Sequence, residues 1–182
     1  MKKAVLVVVC LAVLVSAAQA VTPAPKFGVG AFAGLNFPVI QNDQGSGTEF
    51  GFRARIAVLP FLVAEPNFTM TKWGKPDAVD GVELGIDGSK VTSFGLSATL
   101  GFAPGTLGVK PFGIIGIGSY KIKNDDTKFD ESNIGFCGGF GIGFGVAPKI
   151  DIDVRGQAVV IPQADGGSKK GLSLTAGLGY SF

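Results

Sequence analysis

The C-terminal segment of the chain, residues 171–182, alternates between two kinds of side chain. Apolar residues take every second position from Leu172 to Phe182, and glycine, serine or threonine takes each position between them. A period of two places successive side chains on opposite faces of a β-strand. The sequence therefore predicts a final strand with one apolar face and one small, polar face, which ends on an aromatic residue.

The N-terminus has the three parts of a secretory signal peptide. Two lysines precede an apolar run over residues 4–15, and a small-x-small cleavage sequence ends at Ala20. The run is shorter than the roughly 20 residues that a transmembrane helix needs, which favours a signal peptide over a retained span. We therefore predict that residues 1–20 are cleaved and that residues 21–182 form a single domain.

Alternation like that of the C-terminal segment recurs along the mature chain. It marks eight segments: residues 26–37, 49–59, 61–72, 89–102, 109–121, 133–146, 149–161 and 171–182. The segment at 109–121 is the least regular, because Ile114, Ile115 and Ile117 do not share one parity, and its register stays open. Apolar residues distributed in this way suit a closed transmembrane sheet, in which every backbone polar group is paired.

The two faces of these segments differ in a way that excludes a soluble barrel. A lipocalin-like barrel would keep its large apolar residues inside and its charges outside. Here the face opposite the large apolar residues carries glycine, serine, threonine and a few charges. The connections are alternately short and long, as in barrels that cross a membrane. The predicted fold is all-β: a single closed eight-stranded antiparallel transmembrane β-barrel with short periplasmic turns and long extracellular loops.

Two parts of the sequence carry a resemblance to a known family: the Pro-aromatic-Gly-rich stretch at residues 110–120 and the ending Gly-Leu-Gly-Tyr-Ser-Phe at 177–182. With them the chain resembles the eight-stranded outer-membrane β-barrel superfamily, which includes the membrane domain of outer membrane protein A and small barrels like outer membrane protein X. The resemblance implies a bacterial outer-membrane location, and it implies that Tyr180 and Phe182 signal to the barrel-assembly machinery. It also implies contact with outer-membrane lipid and lipopolysaccharide, and we expect a monomer.

Six charged residues fall on the face that would line the lumen. They lie at similar heights, and three are basic and three acidic: Arg53, Arg55, Glu65, Asp151, Asp153 and Arg155. We expect them to form one network, because an unpaired charge in a low-dielectric interior is costly. The network would be a gate whose ion pairs exchange to pass ions, or a static polar plug. The plug is favoured, since an eight-stranded barrel is just wide enough inside for side chains.

Enzymatic and cofactor-dependent functions have little support. The chain contains no histidine, which removes the base of Ser–His and Asp–His mechanisms. Its glycine-rich runs lie inside predicted strands with no following helix, unlike nucleotide-binding loops. Two acidic loops lack the spacing of an EF-hand, which favours solvated loops over a cation site. Their polar residues are Asp77, Asp80, Glu83 and Asp87, and Asn124, Asp125, Asp126, Asp130 and Glu131. We expect no enzyme activity, cofactor or metal.

Charge and cysteine content bear on two further classes. Without residues 1–20, basic and acidic residues are equal in number, and no basic stripe is present to neutralise phosphates. We therefore expect no nucleic-acid partner. Cys137 is the only cysteine outside the signal peptide, so an internal disulfide is not expected.

Aromatic residues gather near the predicted strand ends, where they are expected to form girdles at the membrane interfaces. They are Phe27, Phe37, Phe50, Phe61, Trp73, Phe102, Phe112, Tyr120 and Tyr180. Pro66 and Pro111 fall inside predicted strands. Because proline cannot donate a hydrogen bond to the ladder, we expect a bulge or a strand end near each.

The favoured function is therefore an integral outer-membrane protein of structural or surface-interaction type, with the loops as the surface available to ligands. The alternative is a small ion-conducting pore or a conduit for a small hydrophobic solute. The continuity of the lumen distinguishes the two. A hydrophobic conduit would also need a lateral opening, for which Pro66 and Pro111 mark the candidate positions.

Overall fold

The computed structural model describes residues 27–39, 45–75, 87–101, 107–163 and 166–182. Eight strands succeed one another around a closed barrel in chain order, and each pair of neighbours is antiparallel. They are β1 (Phe27–Val39), β2 (Gly45–Leu59), β3 (Leu62–Gly74), β4 (Lys90–Leu100), β5 (Gly108–Asn124), β6 (Phe129–Ala147), β7 (Ile150–Pro162) and β8 (Ser168–Ser181). The predicted fold class is confirmed. The predicted signal peptide lies outside the described residues, among which no helix is long and apolar enough to cross a membrane.

The alternation of the sequence decides which side chains face outward. Large apolar side chains cover the outer surface, and polar side chains are buried in the interior. The irregular segment around β5 follows the same rule: Ile114 is 2 % exposed inside the barrel, whereas Ile115 is 60 % exposed outside it. Its register is therefore regular, and an apolar residue in the lumen accounts for the mixed parity of the sequence.

The two ends of the barrel differ in their connections. At one end, which we call the turn end, lie Phe27, Phe182 and the β2–β3, β4–β5 and β6–β7 connections; the Phe182 amide donates to the Phe27 carbonyl at 2.8 Å. At the other, the loop end, the β3–β4 connection spans residues 75–89. The other three connections at this end are short and span residues 40–44, 125–128 and 163–167. The prediction of long loops is therefore correct only for β3–β4, because the strands extend into the segments that were predicted as loops, as the continued pairing of β5 with β6 shows.

The two strand prolines behave differently. At Pro66, β3 pairs with β4 in a regular register. On its other side, the pairing of β3 with β2 is interrupted between Arg53 and Ile56, and it resumes in the same register. The bulge or strand end predicted there is wrong, because the missing proline N–H removes only local ladder bonds. At Pro111 the prediction is confirmed, since pairing between β4 and β5 ends at Gly113. Register shifts lie elsewhere, in β2 and near the C-terminal end of β6.

Three of the aromatic residues assigned to interfacial girdles lie inside the barrel instead. Trp73 and Phe112 are each 4 % exposed, and Tyr120 packs against a buried cluster. Their strand parity places them on the lumen face, and parity decides orientation whatever the distance to the strand end. The outward positions are correct for Phe27, Phe37, Phe50, Phe61 and Tyr180. Phe102 lies outside the described residues.

Candidate functional site in the occluded lumen

The structure brings the six predicted lumen charges together. β2 supplies Arg53 and Arg55, β3 supplies Glu65, and β7 supplies Asp151, Asp153 and Arg155. On β2 and on β7 successive charged residues are two positions apart, which places those of each strand on one face. All six side chains are at most 4 % exposed. We call this set the lumen network.

Asp153 is the centre of the lumen network. Its carboxylate accepts hydrogen bonds from Arg53, from Arg55 Nη2 at 2.6 Å and from Arg155 Nε at 2.7 Å. One carboxylate therefore links three guanidinium groups from β2 and β7, two strands that are not neighbours in the barrel. Charge-assisted contacts of this kind are the stronger class of hydrogen bond.

The remaining carboxylates complete the pairing. Arg155 binds Glu65 through two nitrogens, with Nη1–Oε2 at 2.5 Å and Nη2–Oε1 at 3.0 Å. Arg55 Nε lies 3.4 Å from Glu65 Oε1, and Arg55 also donates to Asp151. Three positive and three negative groups thus form one continuous network, which balances the charge that the barrel buries.

Small and aromatic neighbours make room for the guanidinium groups. A Cβ atom at Gly177 would overlap Arg53, and one at Gly179 would overlap Arg55. The Arg53 guanidinium carbon also lies 5.2 Å from the centre of the Phe32 ring, within the range of a cation–π contact. Glycine on β8 is therefore a packing requirement of the lumen network.

A second, apolar layer packs inside the lumen nearer the loop end. Its buried members are Trp73, Val91, Ile122 and Ile161, against which Tyr120, Phe129 and Val159 pack. Lys169 Nζ lies 5.7 Å from the Trp73 ring centre and 5.1 Å from that of Phe129. We call the four buried residues the apolar cap. The apolar cap is not among the predicted features, although the period-two pattern continues through Trp73 on the lumen side.

A polar pocket separates the apolar cap from the lumen network. Trp73 Nε1 donates to Asn36 Oδ1 at 2.8 Å, and the buried Glu49 carboxylate accepts from Asn36 at 3.2 Å and from Thr71 at 3.3 Å. These groups border a cavity of about 80 Å³ that reaches Arg53 and Trp73. Glu49 was not among the predicted site residues, because its segment was taken to begin at that position.

The predicted acidic loops are described only in part. Asp125 and Asp126 belong to the β5–β6 connection, whereas Asp77, Asp80 and Glu83 lie outside the described residues. Asp126 Oδ2 accepts from the Asp87 amide at 2.7 Å, which ties two loops together. In the part of the chain that the structure describes, no three or more histidine, cysteine, aspartate or glutamate residues are grouped to hold a metal ion.

A closed antiparallel barrel with an apolar outer face and paired charges inside is the architecture of a bacterial outer-membrane barrel. The chain belongs to the family described as the outer membrane protein beta-barrel domain, whose model matches residues 6–182. The protein is therefore an outer-membrane barrel, and in this class the loop end faces the outside of the cell.

Solved structures of other outer-membrane barrels have the same fold. Neisserial surface protein A is 21% identical with a TM-score of 0.69, and the match covers 86% of this chain and 97% of that one. The N-terminal barrel domain of Pseudomonas aeruginosa OprF is 14% identical (TM-score 0.57), with 86% and 97% covered. The attachment invasion locus protein Ail of Yersinia pestis is 17% identical (TM-score 0.55), with 88% and 100% covered. The comparison with curated proteins found no match.

Proposed function

We propose that the protein is a non-conducting outer-membrane barrel of structural or surface-interaction type, whose rigid frame presents its loop end to the outside of the cell. The observation that carries the proposal is that buried side chains pack inside the lumen at two levels. The lumen network occupies one level with six buried side chains, and the apolar cap occupies the other. An ion would have to separate buried ion pairs at one level and displace packed apolar side chains at the other.

The ends of the barrel have separate roles in this proposal. At the turn end, Tyr180 and Phe182 lie on the outer face, with their ring centres 5.3 Å apart, where the barrel-assembly machinery would meet them. At the loop end, the connections are the surface available to lipopolysaccharide and to surface ligands. The proposal assigns the chain no catalytic activity and no cofactor, since a protein without histidine lacks the usual general base. A monomer suffices, because the barrel closes on itself.

Conductance in a planar lipid bilayer tests whether the barrel passes ions. We expect the purified barrel to give no stepwise current, whereas a porin measured in the same bilayers does. Truncating two of the four residues of the apolar cap with Trp73→Ala and Ile161→Ala should leave the membrane sealed, because the lumen network still blocks the path. Folding of each variant is checked by the change in gel mobility on boiling. Stepwise current through the unmodified barrel would contradict the proposal.

The alternative function, a small pore or a conduit for a hydrophobic solute, draws on two observations. The lumen holds the cavity of about 80 Å³ between its two barriers, and the pairing of β2 with β3 is interrupted beside Pro66. A conducting protein would need both barriers to move together. Current through the unmodified barrel would favour this alternative over the sealed frame, whereas current only in the variant that lacks part of the apolar cap would identify the cap, and not the lumen network, as the barrier.

A further inference from the structure

Lysine side chains line up across three strands on the outer face of the loop end. In the strand register, Lys72 on β3 is opposite Lys90 on β4, and Lys90 is opposite Lys123 on β5. Lys121 lies two positions from Lys123 on the same face of β5. We call these four residues the lysine row. They alternate with buried neighbours, which places them on the outside of the barrel.

Such an arrangement is unfavourable unless anions compensate for it. Neighbouring strands lie roughly 4.8 Å apart, and like charges directly opposite each other destabilise a sheet. Asp125 contacts Lys90 Nζ at 2.9 Å and Lys123 Nζ at 2.8 Å, and Asp130 contacts Lys121 at 3.3 Å. Among the described residues, two carboxylates thus form ion pairs with the lysine row, which contains four ammonium groups.

The lysine row continues directly into the lipid-facing surface. Phe68 and Phe94 are opposite each other on β3 and β4, four positions closer to the turn end than Lys72 and Lys90. Phe94 is 67 % exposed, as expected for a side chain in lipid. Four strand residues span about 13 Å, close to the depth of one leaflet of a hydrocarbon core roughly 30 Å thick, so a single lipid beside the strands is long enough to reach both sets of side chains. The same molecule could therefore meet the lysines with an anion and the phenylalanines with acyl chains.

We propose that the lysine row is a binding site for the phosphate groups of lipopolysaccharide. This deepens the proposed function, since it assigns residues to the contact between the barrel and the outer leaflet. A phosphate has several acceptor oxygens and can satisfy ammonium groups on neighbouring strands at once. The exposed apolar surface below the row selects an anion carried by a lipid over one that is free in solution.

Lys170 provides a matched control at the same end of the barrel. It also points outward near the loop end, on β8, but its cross-strand neighbours are Val39 on β1 and Val160 on β7. Replacing it removes one lysine and one charge without changing the lysine row. A general electrostatic attraction to an anionic leaflet would depend on Lys170 as much as on any single member of the row.

The test measures lipid binding in nanodiscs of phosphatidylcholine. Lipopolysaccharide is added with its lipid phosphates intact or enzymatically removed, and the amount retained per barrel is followed by native mass spectrometry. We expect Lys72→Gln/Lys90→Gln/Lys123→Gln to bind the phosphorylated form on the order of 100-fold more weakly, since each lysine near an anionic lipid surface contributes a factor of about five. Lys170→Gln lies outside the lysine row and should leave binding almost unchanged, whereas a general attraction to anionic lipid would cost it the same factor of about five. The dephosphorylated form should not distinguish the triple variant from the unmodified barrel.

Three results would overturn the proposal. One is unchanged affinity in the triple variant, and another is an equal loss with dephosphorylated lipid. The third is displacement of the lipid by millimolar inorganic phosphate, which would assign the row to a soluble anion. If the triple variant fails the boiling-dependent gel shift, Lys90→Gln replaces it and should lose several times more affinity than Lys170→Gln. The conductance measurement does not depend on these lysines, so failure of this inference and failure of the sealed-frame function are distinguishable.

Discussion

The lumen network and the lysine row are built from the same elements in opposite environments. Both place charged side chains two positions apart on a strand, but the lumen network joins non-adjacent strands through the lumen, whereas the lysine row joins neighbouring strands. In the lumen network three basic groups meet three acidic ones, and every side chain is at most 4 % exposed. In the lysine row four ammonium groups meet two carboxylates, with the paired side chains about half exposed.

This difference shows how burial controls the balance of charge. A buried group that loses its partner leaves an uncompensated charge away from water, so the lumen network has to satisfy itself. On the outer surface, water and salt screen the repulsion, and an excess of positive charge can persist until a ligand reduces it. A balanced cluster is therefore suited to structure, and an unbalanced one to binding.

The largest effect is expected from breaking the lumen network at its centre. Asp153→Asn preserves the shape of the side chain but removes the charge that three arginines share. We expect the free energy of unfolding to fall by about 3–5 kcal/mol, the cost of leaving buried charge uncompensated. Urea unfolding of the barrel in lipid vesicles measures it. Equal stability of Asp153→Asn and the unmodified protein would show that the six residues do not act as one network.

The matched change on the outer surface is Asp125→Asn, which also removes a carboxylate shared by two basic groups. Its stability should stay within the error of the unfolding measurement, because the contact is open to solvent. Comparable losses from Asp153→Asn and Asp125→Asn would contradict the contrast between a structural and a binding cluster.

A smaller effect is expected from crowding the lumen network without changing its charge. Gly177→Ala would place a methyl group against the Arg53 guanidinium and should reduce the free energy of unfolding by about 1–3 kcal/mol. Gly156→Ala is the control, because a Cβ atom there meets nothing within 4 Å. It should be neutral, or slightly stabilising through the unfolded chain. Loss of stability in both variants would indicate a general sensitivity of strand glycines instead.

Strand parity explains why the lumen network was predictable from the sequence. Arg53 and Arg55 share a parity opposite to that of large apolar neighbours, and so do Asp151 and Asp153. Because side chains alternate between the two faces of a strand, the parity of a residue decides whether it points into the lumen. This can be predicted without knowing which strands are neighbours. The ion pairs could be predicted as well, because a buried charge without a partner of opposite sign is costly.

Two features were not predicted, for different reasons. Trp73 has the parity of a lumen residue, but its position near a strand end suggested an interfacial aromatic. The lysine row requires the relative register of three strands, which places Lys90 between Lys72 and Lys123. That register depends on the long β3–β4 connection and on the irregular β5 segment, and neither is determined by local alternation.

The smallest effect is a change in titration that reports directly on the lysine row. Hydrogen bonds from Lys123 and Lys90 lower the pKa of Asp125 from its ordinary 3.8 to about 2. Because the folded-state pKa is lowered, the contribution of these contacts to stability is present above pH 3.8 and is lost as the pH falls through about 2. Carboxyl NMR in nanodiscs should show this midpoint, and Lys90→Gln should raise it. Phosphorylated lipopolysaccharide should also raise it, because a phosphate that draws the ammonium groups away leaves the carboxylate less stabilised. If neither phosphorylated nor dephosphorylated lipid changes the Asp125 midpoint, the lysine row stays paired within the protein. The lumen network and the lysine row would then differ only in their exposure to solvent.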